Sequence, residues 1–243
     1  MALYIGTSGW DYPHWEKVFY PPGLSSKDKL KYFSRHFEAV EINYSFYRLP
    51  KPAVYQNWHQ QTSKEFLFAL KVSRFITHIK RLKGVKTAWK TFVKNALNLE
   101  KKLGPVLFQF PSNFKATAEN VKRLKEFLFI CKSKKLRLAF EFRNESWCRD
   151  RIYEVLRKHN AAWVIADSPS YPKIEEVTAD FVYLRMHGSR VLFSSRYTKK
   201  ELENLAQKIK KWQKQKKDVF IFFNNDACGY AVKNAQTLVK LLT

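Results

Sequence analysis

Eight short apolar runs recur along the 243 residues, and all but one of the intervals between them carry a segment of helical periodicity. Few folds accommodate such a pattern. Parallel strands need a crossover between them, and each crossover helix has to cover one face of the sheet. The runs fall at 2–6, 38–43, 65–71, 104–111, 136–143, 161–167, 180–187 and 219–223, with helical stretches at 27–36, 53–61, 85–103, 117–132, 199–215 and 230–242 and another after Ser146. Between the sixth and seventh runs, residues 172–178 leave room for only a short helix. No proline-rich linker or change of composition divides the chain, so the expectation is an α/β fold: one (β/α)8 TIM-type barrel over residues 1–243, forming a single domain. All seven glycines are expected at turns.

The fifth run, Leu136-Arg137-Leu138-Ala139-Phe140-Glu141-Phe142-Arg143, is the most informative. Alternation puts Leu136, Leu138, Phe140 and Phe142 on a face suited to packing under helices, and Arg137, Ala139, Glu141 and Arg143 on a face suited to a barrel interior that opens into a polar mouth. Glu141 and Arg143 share that inner face two residues apart, close enough for the guanidinium to hold the carboxylate ionised. Other runs end in the same way. The second places Glu41 and Asn43 inward, the third Lys71, the fourth Gln109, and the seventh Arg185 and His187 with Tyr183 below them. In the sixth, the same logic turns Trp163, Ile165 and Asp167 inward, and the last run leads into Asn224-Asn225-Asp226. The first leads into Thr7-Ser8-Gly9-Trp10, a loop able to offer backbone N–H groups to an anion, although it has neither P-loop nor dinucleotide-fingerprint spacing.

Composition supports a large core, with 45% apolar residues and 20 Phe. No apolar run approaches the ~20 residues needed to span a bilayer, and the start Met1-Ala2-Leu3-Tyr4 lacks a secretory signal, so a cytoplasmic protein without a membrane partner is expected. Cys131, Cys148 and Cys228 show no metal or disulfide spacing and are expected as free thiols. Lys plus Arg outnumber Asp plus Glu 45 to 21, a net +24 that favours anionic partners: an anionic small molecule or a nucleic acid. The lysines gather in the helical stretches as a solvated outer ring, whereas arginines such as Arg143 and Arg185 end strands, where their forked donors suit phosphate or carboxylate.

Taken together, Gly6-Thr7-Ser8-Gly9-Trp10, Glu41-Ile42-Asn43, Phe68-Ala69-Leu70-Lys71 with Thr77-His78, Gln109-Phe110-Pro111, Phe140-Glu141-Phe142-Arg143 with Trp147, Asp167-Ser168-Pro169, Arg185-Met186-His187-Gly188 and Phe223-Asn224-Asn225-Asp226 make the chain resemble the domain-of-unknown-function-72, or YecE-like, family. Asn144 stands where that pattern leads one to expect His. The resemblance implies a TIM-type barrel and no settled activity.

Three functional readings follow from the residues. The first is hydrolysis of a phosphate-bearing substrate, nucleic acid included, with Arg143, Arg185 and Lys71 binding the anion, Glu41, Glu141 or Asp167 as general base or metal ligand, and His187 as general acid. Thr7, Ser8, Trp10, Asn43, Tyr47, His78, Gln109, Trp147, Asn224, Asn225 and Asp226 complete the expected substrate contacts. With six histidines in the chain a multi-zinc site is not expected; one Mg2+ or Mn2+ on the carboxylates, or no metal, fits. The second reading is an isomerase, lyase or glycosidase acting on a sugar or sugar phosphate through the same carboxylates. The third is a non-catalytic nucleic-acid-binding protein.

Overall fold

The computed structural model describes residues 1–131 and 136–242. The strands are β1 (Leu3–Thr7), β2 (Ala39–Ile42), β3 (Leu67–Lys71), β4 (Leu103–Gln109), β5 (Leu138–Glu141), β6 (Ala162–Asp167), β7 (Phe181–Met186) and β8 (Asp218–Phe223). All pair in parallel, each with its sequence neighbour, and β1 pairs with β8. The remaining seam, β1 against β2, is closed by a single parallel bridge between Ser8 and Glu41. The result is the expected barrel, nearly closed.

Gly6 makes that seam possible. It lies inside β1 rather than at a turn, and a Cβ on it would sit 1.9 Å from the Ala39 carbonyl oxygen. Gly104 likewise lies inside β4, with a less severe approach of 3.2 Å to the Phe68 carbonyl oxygen. Both correct the expectation that glycines mark turns only; close approach between backbones places glycine within strands as well.

Packing inside the barrel is lopsided. Ala39, Ala69, Ala139 and Ala162 face Phe181, Tyr183, Phe220 and Phe222, so small residues from β2 to β6 make room for large rings from β7 and β8, and the interior is filled. At the end away from the strand C-termini, Arg137 lies over the Phe181 and Phe220 rings and donates to Asp218 at 2.6 Å.

Eight α-helices surround the strands among the described residues: α1 (Lys29–Phe33), α2 (Tyr44–Tyr47), α3 (Pro52–Gln61), α4 (Lys86–Ala96), α5 (Ala118–Cys131), α6 (Asp150–Lys158), α7 (Lys199–Lys214) and α8 (Tyr230–Leu242). Lys132, where the fifth helical stretch was expected to end, lies outside the described residues. α4 stops at Ala96 and gives way to a tighter 3-10 stretch (Leu97–Lys102), which is kinked where Glu100 takes a positive φ of 52°. No helix forms between β6 and β7; Thr178 fastens that segment instead, its hydroxyl donating to the Ala161 carbonyl and accepting from the Trp163 N–H. α7 starts on a capping box, Thr198 with Glu201.

The phase of β6 is opposite to the one expected. Ala162 and Val164 point into the barrel, while Trp163 and Ile165 pack outside under the helices, taking Asp167 to that side with them. Alternation fixes which residues share a face but not which face is inner; here the bulky interior rings leave room only for the small set. Trp147 is also core. It is fully buried, stacks 4.3 Å from Phe142 and donates its indole N–H to the Phe114 carbonyl, so it reaches no ligand. No described helix is long and apolar enough to cross a membrane.

Candidate functional site

At the C-terminal ends of the strands, the inward carboxylates and cations meet. β7 delivers Arg185, 1% exposed, between Glu41 of β2 and Glu141 of β5, both fully buried. Arg185 donates from Nε to Glu41 Oε2 at 2.9 Å, from Nη2 to Glu41 Oε1 at 2.6 Å, and from Nη1 to Glu141 Oε2 at 2.6 Å. Glu41 accepts two further bonds, from the Ser8 hydroxyl at 2.7 Å and the Tyr183 hydroxyl at 2.8 Å. Arg143 donates from Nε to the other oxygen of Glu141 at 2.7 Å, the pairing expected from their spacing. Two guanidinium groups and two carboxylates thus sum to zero charge, the condition under which charges can be buried without a large desolvation penalty. Burial, the largest single influence, would raise both carboxyl pKa values, but Arg185 with Ser8 and Tyr183 at Glu41, and Arg185 with Arg143 and His187 at Glu141, together outweigh it. Glu41 is therefore held below the usual carboxylate range and Glu141 well below it.

His187 lies beside this tie, fully buried, with Nε2 3.6 Å from Glu141 Oε2 and Nδ1 3.1 Å from Asn224 Nδ2. Burial, and then the charge of Arg185, lower its pKa, so the imidazole is neutral at physiological pH. It packs against Glu141 and, edge-on, against the Tyr171 and Phe193 rings, and does not line the cleft.

Above the tie opens a cleft of about 730 Å3 whose polar lining includes Asn43, Lys71, Arg74, His78, Gln109, Arg143 and Asn224, with Tyr12, His14, Tyr47 and Asp226 at its margins. Arg143 is held on two sides: Glu141 engages its Nε, and its guanidinium carbon lies 4.0 Å over the Tyr171 ring. Its terminal nitrogens Nη1 and Nη2 donate to no described residue, which leaves a fixed fork facing the cleft. Lys71, half-buried at the end of β3, places Nζ 4.1 Å from the Phe46 ring centroid, and that nitrogen makes no hydrogen bond or ion pair with any described residue. Burial first, and then Arg185, lower its pKa to about 7, even though Glu141 and Glu41 pull the other way. His78 packs edge-on against Phe46; burial and then the charge of Lys71 lower its pKa to about 4, so it too is neutral.

Several expected contacts lie elsewhere. Asp167 faces a separate cavity against α7, where it accepts from Tyr197 at 3.2 Å and pairs with Lys173 at 2.5 Å. The inverted phase of β6 thereby removes it from the group formed by Glu41 and Glu141. Thr7 donates to the Gly9 carbonyl, and Trp10 packs edge-on against Trp58 in a neighbouring depression. Asn225 is buried in a link to Ser195 and Asn234 that fastens the last loop to α8. Asp226 accepts from Trp15 and His14 and so is committed at the rim, while Tyr47 stands 80% exposed there. Among the described residues no three His, Cys, Asp or Glu side chains gather to hold a metal ion. Of the carboxylates expected to bind Mg2+ or Mn2+, Glu41 and Glu141 grip the Arg185 guanidinium and Asp167 pairs with Lys173 in the separate cavity, so these residues do not fit the cation. Arg74, an arginine just past a strand end, lines the cleft as arginines so placed are expected to, whereas His14 and Phe193 line it without any sequence signal.

The family model for "Protein of unknown function DUF72" matches residues 4–243. The UPF0759 protein YunF of Bacillus subtilis is 31% identical over 99% of this chain and 94% of its own length. A crystal structure of a DUF72 family protein from Thermotoga maritima superposes with a TM-score of 0.90 at 30% identity, covering 100% of this chain and 99% of that one. A xylose isomerase domain containing protein from Salmonella typhimurium shares the fold alone, with a TM-score of 0.53 and 10% identity over 91% of this chain and 93% of that one. With its eight-stranded barrel, and with both the family match and the likeness to YunF running over nearly its whole length, the chain belongs to the DUF72 family.

Proposed function

We propose that this protein is an enzyme acting on a phosphate-bearing substrate held in the cleft at the barrel mouth. The observation that carries this reading is the Arg143 fork. Pinned by Glu141 and Tyr171, it keeps two donors unspent in a cleft that also contains Lys71 and Arg74. A planar pair of N–H donors on a guanidinium already immobilised suits two oxygens of one phosphate, and little further side-chain entropy is lost on binding. Proton transfer falls to Lys71. Glu41 already accepts four hydrogen bonds and Asp167 lies outside the cleft, whereas the Lys71 amine exchanges its proton near neutrality.

Titration calorimetry with a panel of phosphate monoesters and their dephosphorylated counterparts tests the reading. The wild type is expected to bind the phosphorylated members selectively, and Arg143→Met to weaken them by about 1.5–3 kcal/mol, the usual worth of a hydrogen bond to a charged group. Equal binding of phosphorylated and dephosphorylated compounds would refute it.

A second reading, in which the phosphate belongs to a nucleic acid, is favoured by the exposed rings of Tyr47 and Phe75 at the rim, close to Arg74 and to Lys80, whose Nζ lies over Phe75. Exposed aromatics interleaved with cations suit stacked bases and their phosphates. Binding of a single-stranded oligonucleotide that weakens steeply with salt and with Tyr47→Ala supports this version; indifference to both excludes it.

A further inference from the structure

We propose that Lys71 is a nucleophile that condenses with the carbonyl of a phosphorylated aldehyde or ketone, holding the substrate in the cleft as an imine; this rests on the phosphate-site reading above and names the substrate class. An amine able to do this must be held in place, approachable and not already committed as an ammonium ion. Nζ stands over the face of Phe46, which offers no acceptor for a lasting hydrogen bond, and it pairs with no described carboxylate. The two carboxylates whose charge acts on it, Glu41 and Glu141, are both occupied by Arg185. The groups that act on Lys71 are Arg185 from β7, Glu41 from β2, and Glu141 and Arg143 from β5, with neutral His78 beside it. Burial first, and then Arg185, against the pull of Glu141 and Glu41, leave the amine with a free lone pair over much of the physiological range, as an imine-forming lysine requires and as a solvated helix lysine does not.

The step balances. The Lys71 nitrogen bonds to the carbonyl carbon as the C=O π bond opens; the two amine protons pass to the oxygen, which leaves as water, and a C=N bond remains. Protonation of that nitrogen by solvent gives an iminium that draws electrons from the neighbouring carbon and acidifies its C–H. The Arg143 fork supplies the matching hold on the phosphate. A carbonyl beside a phosphate occurs in free sugar phosphates and in the opened sugar of an abasic nucleotide, and the two sources separate experimentally.

The full chain is incubated with glyceraldehyde 3-phosphate, reduced with borohydride, and mapped by peptide mass spectrometry. The expected result is one reduced adduct, on Lys71, lost in Lys71→Met of unchanged circular dichroism and suppressed by inorganic phosphate. Unphosphorylated glyceraldehyde is expected to label Lys71 about tenfold less. If an oligonucleotide carrying one abasic site is trapped on Lys71 in place of the triose phosphate, the proposal holds and the source is a nucleic acid. Equal labelling by both aldehydes at Lys71 would uphold the imine and overturn the phosphate site. Calorimetric binding of the triose phosphate without an adduct at Lys71, or adducts spread over the surface lysines, would overturn the imine and leave the phosphate site standing.

Discussion

Replacing Arg185 with Met is expected to cost about 3–5 kcal/mol of stability at neutral pH, the range for removing one partner of a buried ion pair. The change strands Glu41 with only the Ser8 and Tyr183 hydroxyls and leaves Glu141 to Arg143 and the neutral His187, both carboxylates fully buried. Its pH dependence is as informative as its size. In the wild type both carboxyl pKa values lie below that of an unfolded glutamate, about 4.3, so their contribution is complete above that pH and is lost as pH falls through the folded values. Without Arg185, burial is the leading influence on Glu41 and its folded pKa rises above the unfolded one. Its contribution then survives only at low pH and disappears as pH rises. Urea unfolding at a series of pH values is therefore expected to show a deficit for Arg185→Met that is largest near pH 8 and shrinks toward pH 5. A deficit independent of pH would mean that the tie is not electrostatic.

Gly6→Ala is expected to be about as damaging, by a different route. Its Cβ would lie 1.9 Å from the Ala39 carbonyl oxygen and 2.8 Å from the carbonyl carbon, both backbone atoms that no rotamer change can move. β1 and β2 would have to separate at the seam that Ser8 and Glu41 close, so the barrel would lose its last bridge together with one of the hydrogen bonds that hold Glu41. A loss of about 3 kcal/mol or more is expected, at or beyond the upper end for overpacking. Gly104→Ala, where the nearest atom is 3.2 Å away, serves as the comparison and is expected to cost clearly less. Thermal unfolding followed by circular dichroism measures both; equal losses would show that the seam is not under this constraint.

The eight strands were legible because each carries its own alternation, and the pairing of Glu141 with Arg143 because two residues on one strand face are neighbours by construction. What alternation does not carry is the direction of inward. In β6 both residue sets are apolar enough to be buried, and only the volume already taken by Phe181, Tyr183, Phe220 and Phe222 sends Trp163 and Asp167 outside. For the same reason Trp147, beside a polar strand end, passed for a ligand contact while serving as the cap of an aromatic stack with Phe142 and Phe114. The span of Arg185 from Glu41 to Glu141 joins residues 144 and 44 positions apart, a distance no local pattern encodes. Nor did sequence distinguish a carboxylate available to a substrate from one saturated by its neighbours. Under the proposed function, that difference shifts the chemistry from Glu41, Glu141, Asp167 and His187 to Lys71 and Arg143.

The most direct test of this account is where an anion settles. Crystals soaked in tungstate, a tetrahedral oxyanion that scatters anomalously, are expected to show a tungsten peak with its oxygens within hydrogen-bonding distance of Arg143 Nη1 and Nη2, and to lose that peak in Arg143→Met. A peak that persists in the variant, or tungstate bound only to lysines on the outer helices, would contradict it.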